Sequence, residues 1–120
     1  MGETKRVLVV EDDESIREYV QVILEDEGYD VSEACDGVAA LALLDTVSPD
    51  VILLDMLMPS MDGWAFAVAY RQRPGPHAPI VVITAARDAA ARADQIDAAG
   101  VLAKPFRVEA LVSCVNEITA

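Results

Sequence analysis

Aromatic side chains make up only 5% of this 120-residue chain, with one tryptophan, three tyrosines and two phenylalanines. A domain of this length can bury a real core, and that core must be aliphatic, drawn from a hydrophobic fraction of 53%. Basic residues are also scarce: nine Lys and Arg stand against 21 Asp and Glu, a formal net charge of -12. So acidic a surface repels phosphate backbones and anionic lipid, which excludes direct nucleic-acid and membrane binding and favours cations and basic partner surfaces. The two cysteines, Cys35 and Cys114, lie far apart without metal-ligand spacing and are read as reduced thiols. The one histidine, His77, sits in the Pro-rich stretch Pro74–Pro79 and is expected to be an ordinary loop residue without a partner. No run reaches membrane length, and the opening M-G-E-T-K-R-V has neither the apolar stretch of a signal peptide nor the pattern of a myristoylation signal. These absences lead to the expectation of one soluble, cytoplasmic domain spanning residues 1–120.

What is present is an alternation of short apolar runs with helical patterns. Arg6–Val10 reads as a first strand and runs into four acids, Glu11 to Glu14. Ser15 and Glu18 match a capping box, with Ser15 as N-cap of a helix that Gly28 ends. Asp30–Ala34 is a second strand, and Val38–Val47 an Ala/Leu-rich helix closed by Ser48 and Pro49. Val51–Asp55 (V-I-L-L-D) reads as a strand buried on both faces, followed by a helix that Asp62 caps and that runs to roughly Arg73. Ile80–Ile83 is a fourth strand ending on Thr84, Ala85–Ala99 a helix stopped by Gly100, and Val101–Ala103 a brief fifth strand ending on Lys104 and Pro105. Val108, Leu111, Val112, Val115 and Ile118 give a last helix its apolar face. Five strands alternating with five helices predict an α/β fold, a doubly wound parallel sheet with right-handed crossovers in the order 2-1-3-4-5.

In such a sheet Glu11, Asp12, Asp55, Thr84 and Lys104 fall at strand ends that line one crevice. Three carboxylates gathered there repel one another by roughly 4 kcal/mol per close pair at an effective dielectric near 20. A hard divalent cation removes that cost, and Mg²⁺ takes such oxygen ligands. Acids, metal, lysine and hydroxyl together suit a phosphoryl group with charge on its equatorial oxygens, with Asp55 the acid best placed as nucleophile.

Four strings, V-V-E-D (9–12), L-L-D-M-L-M-P-S-M-D-G (53–63), V-I-T-A (82–85) and A-K-P-F (103–106), occur in that order with the right element between each pair. By them the chain resembles the receiver domain of two-component response regulators, over essentially its whole length. The resemblance implies a flavodoxin-like fold and a signalling switch rather than an enzyme. It implies that Asp55 accepts a phosphoryl group from a phosphohistidine on a sensor histidine kinase or a histidine phosphotransfer protein. Asp12, Asp55 and the carbonyl of Leu57 would bind Mg²⁺ directly and Glu11 through water, while Thr84 and Lys104 would hold the phosphoryl oxygens. The Lys104–Pro105 bond would be cis, and Ala85 would leave room for the phosphoryl group. Phosphorylation would then shift the surface made by helix four, strand five and helix five.

Two features depart from the family pattern. Val101 stands where an aromatic residue is usual, and the stretch from Thr84 to Lys104 is about two residues short, a loss expected in the loop after helix four. Both fall on the usual output face and neither touches the chemistry. Three other readings compete: a receiver-like interaction module that is not phosphorylated, an aspartyl phosphatase, and a nucleotide-binding fold. The second wants an acid two residues after the nucleophile, where this chain has Leu57; the third wants glycines where the first turn has acids. No output domain is visible after the last helix, and a stand-alone receiver is expected, with a phosphate relay or sink and one domain of a larger protein as the other readings.

Overall fold

The chain alternates strand and helix throughout: β1 (Arg6–Val10), α1 (Glu14–Asp26), β2 (Asp30–Ala34), α2 (Gly37–Leu43), β3 (Val51–Asp55), α3 (Gly63–Arg71), β4 (Ile80–Ala85), α4 (Ala89–Gln95), β5 (Gly100–Lys104) and α5 (Val108–Thr119). The computed structural model describes residues 4–58, 60–85, 87 and 89–120, with the side chains of 89, 90 and 92 left out. Pro59, and Ala86 and Asp88 of the helix expected over 85–99, lie outside the described residues.

The five strands form one parallel sheet in the order β2-β1-β3-β4-β5, as the alternation predicts. All five residues of β3 are buried, along with the last four of β1 and the first five of β4. Two core layers result, because successive strand side chains point to opposite faces. Leu8, Val10, Ile52, Leu54, Ile80 and Val82 pack with Phe66, Ala67 and Tyr70 of α3, Ala40 of α2 and Ile96. Val7, Val9, Val51, Leu53, Val81 and Ile83 pack with Val20 and Leu24 of α1 and Leu111 and Val115 of α5. The long apolar runs are thus strands sandwiched between helices, and apart from the exposed Arg6 that opens β1, polar residues enter the central strands only toward their carboxyl ends.

Several boundaries differ from those expected. Asp13, not Ser15, caps α1: its Oδ1 accepts from the amides of Ser15 and Ile16 at 2.9 and 3.2 Å. Asp is as good an N-cap as Ser, and the earlier residue starts the helix two residues sooner. Asp36 caps α2 through the Ala39 amide, and α2 ends at Leu43 with a turn over 44–46 rather than continuing to Val47. Asp62 caps α3 as expected, through the Ala65 amide at 2.9 Å, though the helix stops at Arg71. Ala85 pairs with Lys104 in the sheet, so tertiary pairing overrides its helix propensity. Gly100 is not a helix stop but the first residue of β5, opposite Val81; the left-handed residue after α4 is Asp97, with φ 53°. Residues 96–99 make the whole α4–β5 connection. His77 does have partners: a ring nitrogen lies 2.7 Å from the Arg73 carbonyl oxygen and the ring meets Tyr70 edge-on at 5.0 Å. Cys35 and Cys114 are both free thiols.

Candidate functional site

The carboxyl ends of β1, β3, β4 and β5 bring together side chains separated by more than ninety positions in the chain. Glu11 follows β1 and is fully buried; Asp55 ends β3 at 4% exposure; Thr84 lies in β4 at 2%. Lys104 ends β5 and reaches across the sheet, its Nζ 2.6 Å from Glu11 Oε1 and 3.5 Å from Asp55 Oδ2. Asp12, next after Glu11, is exposed, yet carboxylate oxygens of Glu11, Asp12 and Asp55 all lie within 4.8 Å of one another. Four of the expected site residues therefore meet at one place, Thr84 lies one position past the β4 residue that pairs with Asp55, and Leu57 lies two residues past Asp55, where its amide donates to Asp55 Oδ1 at 3.1 Å.

The backbone on which Asp55 stands is tightly constrained. The Gly63 amide donates to the Met56 carbonyl at 3.0 Å, closing the loop that carries Leu57 back onto the strand end. A Cβ at Gly63 would lie 2.7 Å from Met56 Cα and 3.1 Å from the Asp55 carbonyl oxygen, so only glycine allows this approach. The Lys104–Pro105 peptide is cis.

Electrostatics follow from burial. Burial and then the neighbouring Asp55 push the Glu11 carboxyl up to about 7, against the opposing pull of Lys104 and the Asp13 amide. Burial alone would lower the Lys104 ammonium, but the bond to Glu11 and the charges of Asp55 and Glu11 outweigh it and hold it above the usual lysine range. Apart from that ammonium, Glu11 Oε1 meets no hydrogen-bond donor among the described residues, and the buried Thr84 hydroxyl meets no partner at all there. A buried hydroxyl without a partner and crowded carboxylates carry a standing cost. An all-oxygen donor set of three acids fits a hard divalent cation of the Mg²⁺ type. A lysine and an unpartnered hydroxyl beside it fit an oxyanion.

One residue in contact with the site carried no signal in the sequence reading. Arg17, one turn into α1, turns back and donates to the carbonyl oxygens of Glu11 and Asp12 at 2.9 and 3.2 Å, with its Nε 3.5 Å from Glu33 Oε1 on β2. A cavity of about 480 Å³ near Tyr70, Arg73 and His77 contains none of the converging acids. No helix among the described residues is long and apolar enough to cross a membrane.

A family model described as the response regulator receiver domain matches residues 7–116. Response regulator MprA of Mycobacterium sp. (strain KMS) is 39% identical over 110 residues, covering 90% of this chain and 47% of the relative. Response regulator MprA of Mycobacterium avium (strain 104) is 38% identical over 110 residues, covering 90% and 48%. The chain spans about half the length of these curated relatives. Among solved structures, the chemotaxis response regulator CheY4 of Vibrio cholerae superposes with a TM-score of 0.88 at 34% identity, covering 97% of this chain and 99% of that one. A putative response regulator from Chloroflexus aurantiacus J-10-fl gives 0.89 at 32% identity, covering 98% of each.

Proposed function

The chain belongs to the response regulator receiver family of two-component signalling, and from that premise we propose that it is a phosphoacceptor switch in which Asp55 is the nucleophile. The observation that carries the reading is the meeting of Asp55 with Glu11, Asp12 and Lys104 at the ends of three strands, with the unpartnered Thr84 hydroxyl near the end of the strand next to Asp55.

An Asp55 carboxylate oxygen attacks the phosphorus of a phosphohistidine on a sensor histidine kinase or a histidine phosphotransfer protein. A P–O bond forms as the P–N bond breaks, and the electron pair of that bond stays with the departing imidazole. The product is an acyl phosphate, and attack by water on its phosphorus returns the Asp55 carboxylate and inorganic phosphate. Lys104 moves from its ion pair with Glu11 onto a phosphoryl oxygen, and Thr84 donates its hydroxyl to another. Asp12, Asp55 and the Leu57 carbonyl would hold Mg²⁺, with Glu11 acting on it through water. The ion supplies charge neutralisation among the carboxylates and on the phosphoryl oxygens. The chain in this role is a switch, not an enzyme with a turned-over substrate, and residues 1–120 form one receiver domain acting in the cytoplasm. Its partners are the phosphodonor and a protein that reads the phosphorylated form, with no direct nucleic-acid or membrane contact.

Phosphorylation biases a two-state equilibrium of the surface built from α4, β5 and α5. Val101, 40% exposed on β5, has no ring to swing inward, so the signal leaves through α4. Incubation with a small phosphodonor and Mg²⁺, followed by intact mass measurement, tests the central step. The expected result is an acid-labile gain of one phosphoryl group that Asp55→Asn abolishes. No gain sinks the reading in favour of a receiver-like interaction module, and a gain that persists in Asp55→Asn removes Asp55 as the nucleophile.

A further inference from the structure

Asp12 is exposed and no hydrogen bond or ion pair of its carboxylate is among those found. Its neighbour Glu11 is held by Lys104 and by the Asp13 amide at 3.2 Å, and Asp55 by Lys104 and the Leu57 amide. What fixes Asp12 is therefore its backbone. The two peptide planes on either side of its Cα carry the Glu11 and Asp12 carbonyls, and both accept from Arg17 Nη1. Fixing both planes fixes the direction in which the Asp12 Cα–Cβ bond leaves the chain.

Helix stability does not account for the arginine. Arg17 is the fourth residue of α1, and a cation in the first turns of a helix opposes the dipole. Its side chain is nonetheless 18% exposed, drawn in against the acidic turn. The Nε contact with Glu33 at 3.5 Å holds the guanidinium from the far side, so β2 braces the arginine that braces the turn.

We propose that Arg17 is a positioning residue for the cation site: by clamping the Glu11 and Asp12 carbonyls it aims the Asp12 carboxylate at the position shared with Glu11 and Asp55. The inference rests on the metal reading above and goes beyond it in assigning a residue that touches neither metal nor phosphoryl group. Groups that orient metal ligands in this indirect way typically change affinity 10–100-fold when removed.

The test is the Mg²⁺ dissociation constant of the full chain, measured by calorimetric titration at 25 °C, beside the melting temperature in chelator. Arg17→Met is expected to weaken Mg²⁺ binding by about tenfold, and Arg17→Lys, which can reach one carbonyl, by less. Glu33→Gln removes the brace to β2 but leaves both carbonyl bonds, so it is expected to lower the melting temperature while holding Mg²⁺ within twofold of the parent. Affinity of Arg17→Met within twofold of the parent overturns the inference, as does an equal loss in Arg17→Met and Glu33→Gln, which would place the effect in the α1–β2 contact. If Arg17→Met does not fold, Arg17→Lys carries the same reading, and parental affinity there overturns it. A parent chain that binds no Mg²⁺ at millimolar concentration fails at the earlier step and removes the metal site itself.

Discussion

Lys104 Nζ stands 2.6 Å from Glu11 Oε1 but 3.5 Å from Asp55 Oδ2, so the ammonium closes on the fully buried acid rather than on the one at the tip of β3. Without a cation, the lysine is the counter-charge that keeps the acidic crevice folded. Removing it with Lys104→Met leaves the buried Glu11 carboxylate without a counter-charge, and breaking a buried pair from one side is costly. Discounted for the partial exposure of the lysine, the loss is expected at about 2 kcal/mol at pH 8, or roughly 8 °C in melting temperature. Thermal melts in chelator read this directly. The same variant should accept phosphoryl groups on the order of a hundredfold more slowly, measured by intact mass against time.

Glu11 makes the metal-free protein unusually dependent on pH. Its carboxyl titrates near 7 in the fold against a reference value of 4.5, because burial and Asp55 disfavour its charge. Between those values the folded chain holds more protons than the unfolded one, so this contribution to stability falls as pH rises. It is fully present below about pH 4.5 and lost by the time pH passes 7. Denaturant unfolding in chelator from pH 5 to 8 should show the fall in the parent and a flatter profile in Glu11→Gln; parallel profiles would contradict it. Cation binding needs the ionised acid, so Mg²⁺ affinity should rise over the same range.

Gly63 is where the loop pays sterically for its closure on Asp55. In Gly63→Ala the new Cβ meets Met56 Cα at 2.7 Å, backbone that cannot swing aside, and the expected cost is about 2 kcal/mol. Phosphorylation should slow with it, since the Asp55 carbonyl is the next atom displaced. Gly75→Ala is the control: its Cβ meets nothing, although φ of +98° strains it. It should lower the melting temperature by a few degrees without changing the phosphorylation rate. A Gly63→Ala chain with parental stability would show that the loop can open freely.

Trp64, the only tryptophan, offers a reporter for the outward route. Its Nε1 donates to Gln95 Oε1 at 2.7 Å at the end of α4, and Arg71 donates to the Ile96 and Asp97 carbonyls just beyond. Movement of α4 on phosphorylation should therefore change tryptophan emission, and Gln95→Leu should shift the resting emission and shrink the change. Unaltered emission on full phosphorylation would take α4 out of the route.

The strands and the site were legible in the sequence for one physical reason. A parallel sheet covered on both faces needs continuous apolar runs, and polar residues can enter only where a run ends, so Glu11, Asp55, Thr84 and Lys104 announce both the strand and its tip. Helix ends were less legible because several residues compete for each one. Asp13 and Ser15 are both good caps, and it is Asp13 that accepts the first amides of the helix. Gly100 looked like a stop, yet pairing with Val81 drew it into β5 and left the positive φ to Asp97. The role given to Arg17 was hidden for a different reason: its partners are carbonyl oxygens, which every residue possesses, so no residue type marks them.

The interleaving of the two core layers has a consequence for how this sequence can drift. Leu53 and Leu54 are chain neighbours, but Leu53 packs with Val9, Val81 and Leu111, and Leu54 with Val10, Val82 and Phe66 on the far side of the sheet. A volume lost at one is best restored by a change on its own face, often dozens of positions away. Compensating substitutions should thus couple residues that share a face and leave adjacent residues nearly independent. Each half of the interior can then accumulate its own history of mutation, while the strand tips that hold the carboxylates answer to both.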